Sequence, residues 1–195
     1  MASAGAVLLF PGAGSGRETP ALVAIDKALA PLPVVRADFP YRREGRKAPD
    51  RPPKLIACVR DEAAALAERT GVDPAAVVLG GRSMGGRICS MAAAEGLACL
   101  GLVLVSYPLH PPGRPDRLRV DHFPRLHVPC LFVSGTRDPF AAPAELEEHA
   151  AAIPGPVTHV WLDGDGHGLK GRDAEVAAAV AAWVTDRARE GRPPG

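Results

Sequence analysis

Near-continuous apolar runs constrain the fold of this chain more than any other feature. Six of them, rich in Val, Leu, Ile and Phe, recur as Gly5–Phe10, Pro33–Phe39, Ala76–Gly81, Gly101–Tyr107, Pro129–Ser134 and Val157–Leu162. A strand with one wet face alternates apolar and polar residues. A parallel strand covered on both faces has no reason to alternate. Helix-compatible stretches separate the runs. Thr19-Pro20 reads as an N-cap followed by an N1 proline, with Leu22, Ile25 and Leu29 on one face. Leu55, Val59 and Leu66 mark a second helix, closed by Gly71, and Arg87 to Gly96 is a third helix-compatible stretch. Val176, Val180, Trp183 and Val184 have the i, i+4, i+7, i+8 spacing of an amphipathic stripe. Strand and helix in alternation predict an α/β fold, here a doubly wound, mostly parallel six-stranded sheet with right-handed crossovers.

Length and composition support one such domain. A chain of 195 residues buries roughly 70% of its unfolded surface, enough for a core without staples. It is 47% hydrophobic and 23% charged, with a formal net charge of +1. Nothing in that balance points to nucleic acid or an anionic membrane. Cys58, Cys89, Cys99 and Cys130 each lie in or beside an apolar stretch, without metal-ligand spacing. They read as buried free thiols in a reducing compartment, with two disulfides as the alternative their even number allows. The apolar run Ala6–Phe10 is too short for a signal segment or a membrane span and has no basic residues before it, so a cytoplasmic location is expected. One domain is expected over residues 1–188, with a disordered tail over 189–195.

In a parallel sheet, ligands bind beyond the carboxyl ends of the strands. After the first run comes Pro11-Gly12-Ala13-Gly14-Ser15-Gly16, and after the third comes Gly81-Arg82-Ser83-Met84-Gly85. The fifth is followed by Gly135-Thr136-Arg137-Asp138, the sixth by Asp163-Gly164-Asp165-Gly166-His167-Gly168. A Gly-x-Ser-x-Gly alone also fits a serine that merely caps a helix. Between a buried strand and a helix it reads as a nucleophile elbow, a strained turn that holds the Ser hydroxyl at a helix N-terminus.

A serine hydroxyl needs a neighbouring base, and His167, in its Gly-flanked loop, is the candidate. Asp138 is placed to orient the imidazole. Asp163 and Asp165 are rival acids, but they share the loop with His167, which makes its far nitrogen awkward to reach. The expected oxyanion donors are the backbone N–H groups of Met84 and Ala13, with Gly12 and Gly14 allowing close approach. Gly12-x-Gly14, with Asp38 further on, partly fits a dinucleotide fingerprint, but Arg17 stands where the third Gly belongs, and no Gly-Lys-Ser/Thr follows. No cofactor and no metal is therefore expected. The basic segment Phe39 to Arg51 reads as a long loop that is either a solvated connection or a rim favouring anionic or polar substrates. Gly12, Gly14, Tyr41, Arg82 and His110 make up the expected substrate-binding set. Pro108 to His127 has little helix periodicity and cannot build a helical lid.

These motifs resemble the α/β-hydrolase superfamily over nearly the whole chain, in its small, lidless, dienelactone-hydrolase-like group. The closer likeness is to the family of testis-expressed protein 30 and the C-terminal domain of a subunit of the non-specific-lethal histone acetyltransferase complex. It rests on the Pro11-Gly-Ala-Gly loop, on Phe39-Pro40-Tyr41 and on Gly81-Arg82-Ser83-Met84-Gly85-Gly86. The resemblance implies Ser83 as nucleophile, Asp138 as acid and His167 as base. It also implies a strand order of 2-1-3-4-5-6. One departure is Pro11, where the family's oxyanion loop usually has His before Gly, so support of that loop by an imidazole is lost. The resulting expectation is a serine hydrolase of a small-molecule ester or thioester, without nucleic-acid or membrane partners and with a homodimer left open. The alternative is a non-catalytic protein-interaction module on the same scaffold.

Overall fold

In the computed structural model, which describes residues 4–111 and 113–190, the apolar runs become six strands. They are β1 (Ala6–Phe10), β2 (Val34–Arg36), β3 (Val77–Arg82), β4 (Gly101–Val105), β5 (Cys130–Gly135) and β6 (Val157–Leu162). All pairs are parallel, in the order β2-β1-β3-β4-β5-β6. The helices are α1 (Pro20–Leu29), α2 (Pro40–Arg43), α3 (Pro52–Thr70), α4 (Met84–Ala94), α5 (Pro143–Ala150) and α6 (Asp173–Glu190). Glu190 falls inside the expected tail, and residues 191–195 of that tail lie outside the described residues.

Continuous apolarity has the cause read from the sequence, because each central strand buries both faces. Ala6, Leu8 and Phe10 of β1 share one cluster with Leu55, Val59 and Leu66 of α3 and Ile88 and Cys89 of α4. Val7 and Leu9 face the opposite cluster, with Leu22 and Ile25 of α1 and Val176, Val180 and Trp183 of α6. Each fully buried Val or Leu adds about 1.5–3 kcal/mol. After β1 the chain crosses to β2, then returns past β1 to β3. The loops beyond β1 and β3 therefore part, and a crevice opens between them.

Most expected strand ends shift by a residue or two, and three departures are larger. β2 ends at Arg36 rather than at Phe39, and Asp38 there accepts the Arg17 N–H at 2.8 Å. The helix after the elbow begins at Met84, three residues before Arg87. The segment from Phe39 to Arg51 is not simply a loop, since Pro40–Arg43 form the short helix α2. Its aromatic residues pull it inward: Phe39 stacks on Phe10 with ring centroids 4.6 Å apart, and Tyr41 stacks on Phe39 at 6.4 Å. Much of its charge is paired, Arg46 with Glu44 and Asp50 inside the segment and Arg43 with Glu62 of α3.

All four cysteines are free and buried. Burial pushes the Cys58 thiol up to about 11 and those of Cys99 and Cys130 up to about 12. Among the described residues no helix is long and apolar enough to cross a membrane.

Candidate active site

Ser83 lies between β3 and α4 with φ 51 and ψ −118, a backbone conformation that L-residues seldom adopt. Its surroundings enforce that turn. A Cβ at Gly81 or at Gly85 would run into the Phe10 carbonyl oxygen, so β3 and α4 approach β1 this closely only with glycine at both positions. The turn is pinned on two sides, with the Ser83 N–H donating to Val105 O at 2.8 Å and the Arg87 N–H donating to Ser83 O at 3.1 Å.

His167 follows β6 and brings Nε2 to 2.9 Å from Ser83 Oγ. Its Nδ1 lies 2.8 Å from Asp138 Oδ2 and 3.1 Å from Oδ1. The Asp138 side chain is fully buried and also accepts the Phe140 N–H at 2.9 Å. With both carboxylate oxygens placed this way, the proton of the neutral imidazole sits on Nδ1. Nε2 is then free to accept from the serine. The rival acids are occupied elsewhere: Asp163 accepts from Thr136 Oγ1 at 3.1 Å, and Asp165 pairs with Arg172 at 3.0 Å. Both shape the loop that carries His167. Gly135 lets that loop sit close, since a Cβ there would strike the Asp165 carbonyl.

These groups open onto a cavity of about 580 Å³. Gly12, Ala13, Gly14, Arg82, Ser83, Met84 and His167 all line it, as do Phe140, Arg87, Arg119, Pro49 and Pro108. Among the described residues no hydrogen bond engages the N–H of Ala13 or of Met84. Met84 is the first residue of α4, where N–H groups lack an intrahelical partner and the helix dipole favours negative charge.

Tyr41 and His110, expected at the substrate surface, stand behind it. The Tyr41 ring is fully buried, and its hydroxyl donates to Ala13 O at 2.7 Å. It props the loop whose Ala13 lines the cavity. His110 is also buried, with Nδ1 2.9 Å from Pro111 O and Nε2 3.3 Å from Glu145 Oε2. Its backbone N–H reaches Phe140 O at 3.3 Å. Aromatic stacking draws Tyr41 inward and polar partners draw His110, and sequence spacing reveals neither. Arg82 does reach the cavity, and it also donates to His167 O at 2.9 Å, fixing the loop of the base. Burial lowers its pKa, while the charges of Asp138 and Asp173 oppose that.

Phe140 has no counterpart in the sequence reading. Its ring stacks on the His167 imidazole, centroids 4.0 Å apart and planes at 27°. The available sign was an aromatic residue two places after the acid, on the same turn. Between β4 and β5, the helical structure among the described residues is the single turn Phe123–Arg125. Its Phe123 is fully buried, so this turn is no cover for the cavity.

A parallel sheet with a serine at a strained strand–helix turn, and a histidine and an aspartate from later strand ends, has the architecture of an α/β hydrolase. Residues 3–188 match the alpha/beta hydrolase domain family, and the chain belongs to it. It is 39% identical over 61 residues to epoxide hydrolase A of Mycobacterium tuberculosis, a match that spans 31% of this chain and only 19% of that protein. Its fold is similar to that of Est1E from Butyrivibrio proteoclasticus, at 15% identity and a TM-score of 0.75, over 96% of this chain and 89% of that one. It is likewise similar to dienelactone hydrolase from Anabaena variabilis, at 21% identity and a TM-score of 0.72, over 96% and 87% of the two chains.

Proposed function

We propose that the protein is a serine hydrolase that cleaves esters or thioesters of small acids through an acyl-enzyme on Ser83. The observation that carries this reading is the continuous relay from Ser83 Oγ through His167 to Asp138, with contacts of 2.9 and 2.8 Å. In the first half-reaction Ser83 Oγ bonds to the substrate carbonyl carbon as its proton passes to His167 Nε2. The carbonyl oxygen becomes an oxyanion between the N–H groups of Ala13 and Met84. As that intermediate collapses, the bond to the leaving oxygen or sulfur breaks. His167 protonates the leaving group, and the acyl-enzyme remains. Water then gives a proton to His167 and adds to the acyl carbon. The second collapse frees the acid and returns the proton to Ser83.

The name of one similar structure, a dienelactone hydrolase, agrees with this class. A place beside testis-expressed protein 30 and the non-specific-lethal complex subunit belongs to the same proposal, on the strength of the elbow and loop motifs. A cytoplasmic location rests on the four buried free thiols, which suit a reducing compartment. The test is covalent labelling. A fluorophosphonate should add one phosphonyl group to the wild type by intact mass and none to Ser83→Ala. Equal labelling of the two would remove Ser83 from the mechanism.

A further inference from the structure

The cavity around Ser83 has an unbalanced charge. Arg82, Arg87 and Arg119 line it, and no Asp or Glu does. Asp138, which reaches His167 from behind the cavity wall, is engaged with that ring and with the Phe140 N–H. Arg82 is committed as well, to the His167 carbonyl. Arg87 and Arg119 are not. Among the described residues neither has a carboxylate within 4.0 Å, and the Nε of Arg87 is buried without a hydrogen-bond partner. Both also border a neighbouring surface hollow that contains Asp116 and Asp121. Asp116 lies 3.8 Å from Arg114 instead.

The two backbones are held firmly. Arg87 sits in the first turn of α4, its N–H on Ser83 O at 3.1 Å. Arg119 is tied at both ends, its N–H to Leu109 O at 2.8 Å and its carbonyl to the Tyr107 hydroxyl at 2.7 Å. Two partly buried guanidinium groups pressed into one wall repel each other. Burial and the Arg87 charge both work against the charged form of Arg119. Such an arrangement is offset by an anion that accepts from both.

We infer that Arg87 and Arg119 form an anion subsite, so that the ester or thioester taken at Ser83 carries a carboxylate or phosphate beyond its scissile carbonyl. The inference rests on the hydrolase reading for its substrate class, but the subsite can be measured without turnover. Ser83→Ala protein, which cannot form an acyl-enzyme, is titrated calorimetrically with monomethyl glutarate and with methyl valerate, its neutral counterpart. The charged ester should bind roughly ten- to hundredfold more tightly. In the Ser83→Ala background, Arg87→Gln and Arg119→Gln should each remove most of that ratio, and Arg87→Lys should keep part of it. Competition by glutarate dianion and by inorganic phosphate then tells carboxylate from phosphate recognition, and displacement by either supports the subsite. Melting temperatures report whether each variant folds. If Arg87→Gln does not, Arg119→Gln, on a loop, decides alone. Equal binding of the two esters, or a ratio untouched by the arginine variant, would overturn the inference. Failure of fluorophosphonate labelling would instead overturn the hydrolase reading and leave the binding result standing.

Discussion

Replacing Tyr41 by Phe removes one hydroxyl and keeps the ring that packs on Phe39. The hydroxyl donates to Ala13 O at 2.7 Å from a fully buried residue. The net worth of such a bond is about 0.5–1.5 kcal/mol, rising to about 1–3 kcal/mol where the abandoned carbonyl stays dry. At roughly 2–4 °C per kcal/mol for a domain of this size, the loss of about 1–3 kcal/mol for a carbonyl left dry lowers Tm by about 2–12 °C. The catalytic effect should exceed what that stability loss suggests. Deleting an oxyanion donor outright costs about 10²–10³ in kcat. Here the Ala13 N–H is kept, but its loop loses the one side-chain prop that reaches the Ala13 carbonyl, so kcat should fall roughly 10- to 50-fold. KM should move little, because the donor acts on charge that develops only in the transition state. Steady-state hydrolysis of 4-nitrophenyl acetate at 25 °C, with folding checked by circular dichroism, gives both constants. A lower Tm with kcat within about threefold of wild type would mean that the Tyr41 hydroxyl serves stability alone.

Asp138→Asn should lower turnover by roughly 10³–10⁴ near neutral pH, with partial recovery at high pH, because an amide in that position favours the wrong imidazole tautomer. Asp163→Asn and Asp165→Asn should each cost less than about tenfold, and a dead Asp165→Asn beside an active Asp138→Asn would displace the acid from its assigned place. His122, bonded to Ser90 Oγ at 2.8 Å, has its pKa lowered to about 4, by burial first and then by the charges of Arg87 and Arg125. Unfolded histidine takes up its proton near 6.5. Stability from this group is therefore complete above about 6.5 and drains away towards pH 4, by at most about 3 kcal/mol. Denaturant midpoints at pH 7.5 and 4.5 should differ less for His122→Gln than for the wild type, and an unchanged difference would refute the assignment. With no helical cover over the cavity, butyrate esters should be cleaved faster than palmitate esters and without acceleration at a lipid surface. A strong palmitate preference in a chain-length series would contradict that.

The strands were legible because burial on both faces writes itself as continuous apolarity, and the loops that leave their ends all fall on one edge, whereas their order followed from the resemblance to the α/β-hydrolase superfamily and not from the runs themselves. That logic also separated Asp138 from Asp163 and Asp165, since an acid on the neighbouring strand end reaches Nδ1 while an acid on the histidine's own loop does not. It gave no access to side-chain direction in irregular segments. Tyr41 looked like a rim residue because the segment around it is basic, yet Phe10 and Phe39 draw it into the core. His110 turned inward for a carbonyl and Glu145. Arg87 and Arg119 lie far apart in sequence, and an arginine is ordinarily read as a solvated charge. Only the closing of the loop after β4 onto Tyr107 and Leu109 brings them to one wall.

Pro11 shows how a local departure can be offset at a distance. With proline where the α/β-hydrolase resemblance leads one to expect histidine, the loop proposed to hold the oxyanion has no imidazole at that position, and the sequence offers no substitute within reach along the chain. The brace comes from Tyr41, 28 residues beyond Ala13. It depends on a chain of causes: Pro40 starts α2, α2 aims the phenol at Ala13 O, and the stack of Phe10, Phe39 and Tyr41 holds α2 against the end of β1. Phe10 takes part twice, because its carbonyl is also the surface against which Gly81 and Gly85 close the elbow. One residue at the end of β1 thus ties the geometry of the nucleophile to that of the Ala13 donor. Substitutions at Phe39 should then disturb kcat through Tyr41 while leaving the Ser83 turn, held by Val105 O and by the two glycines, in place.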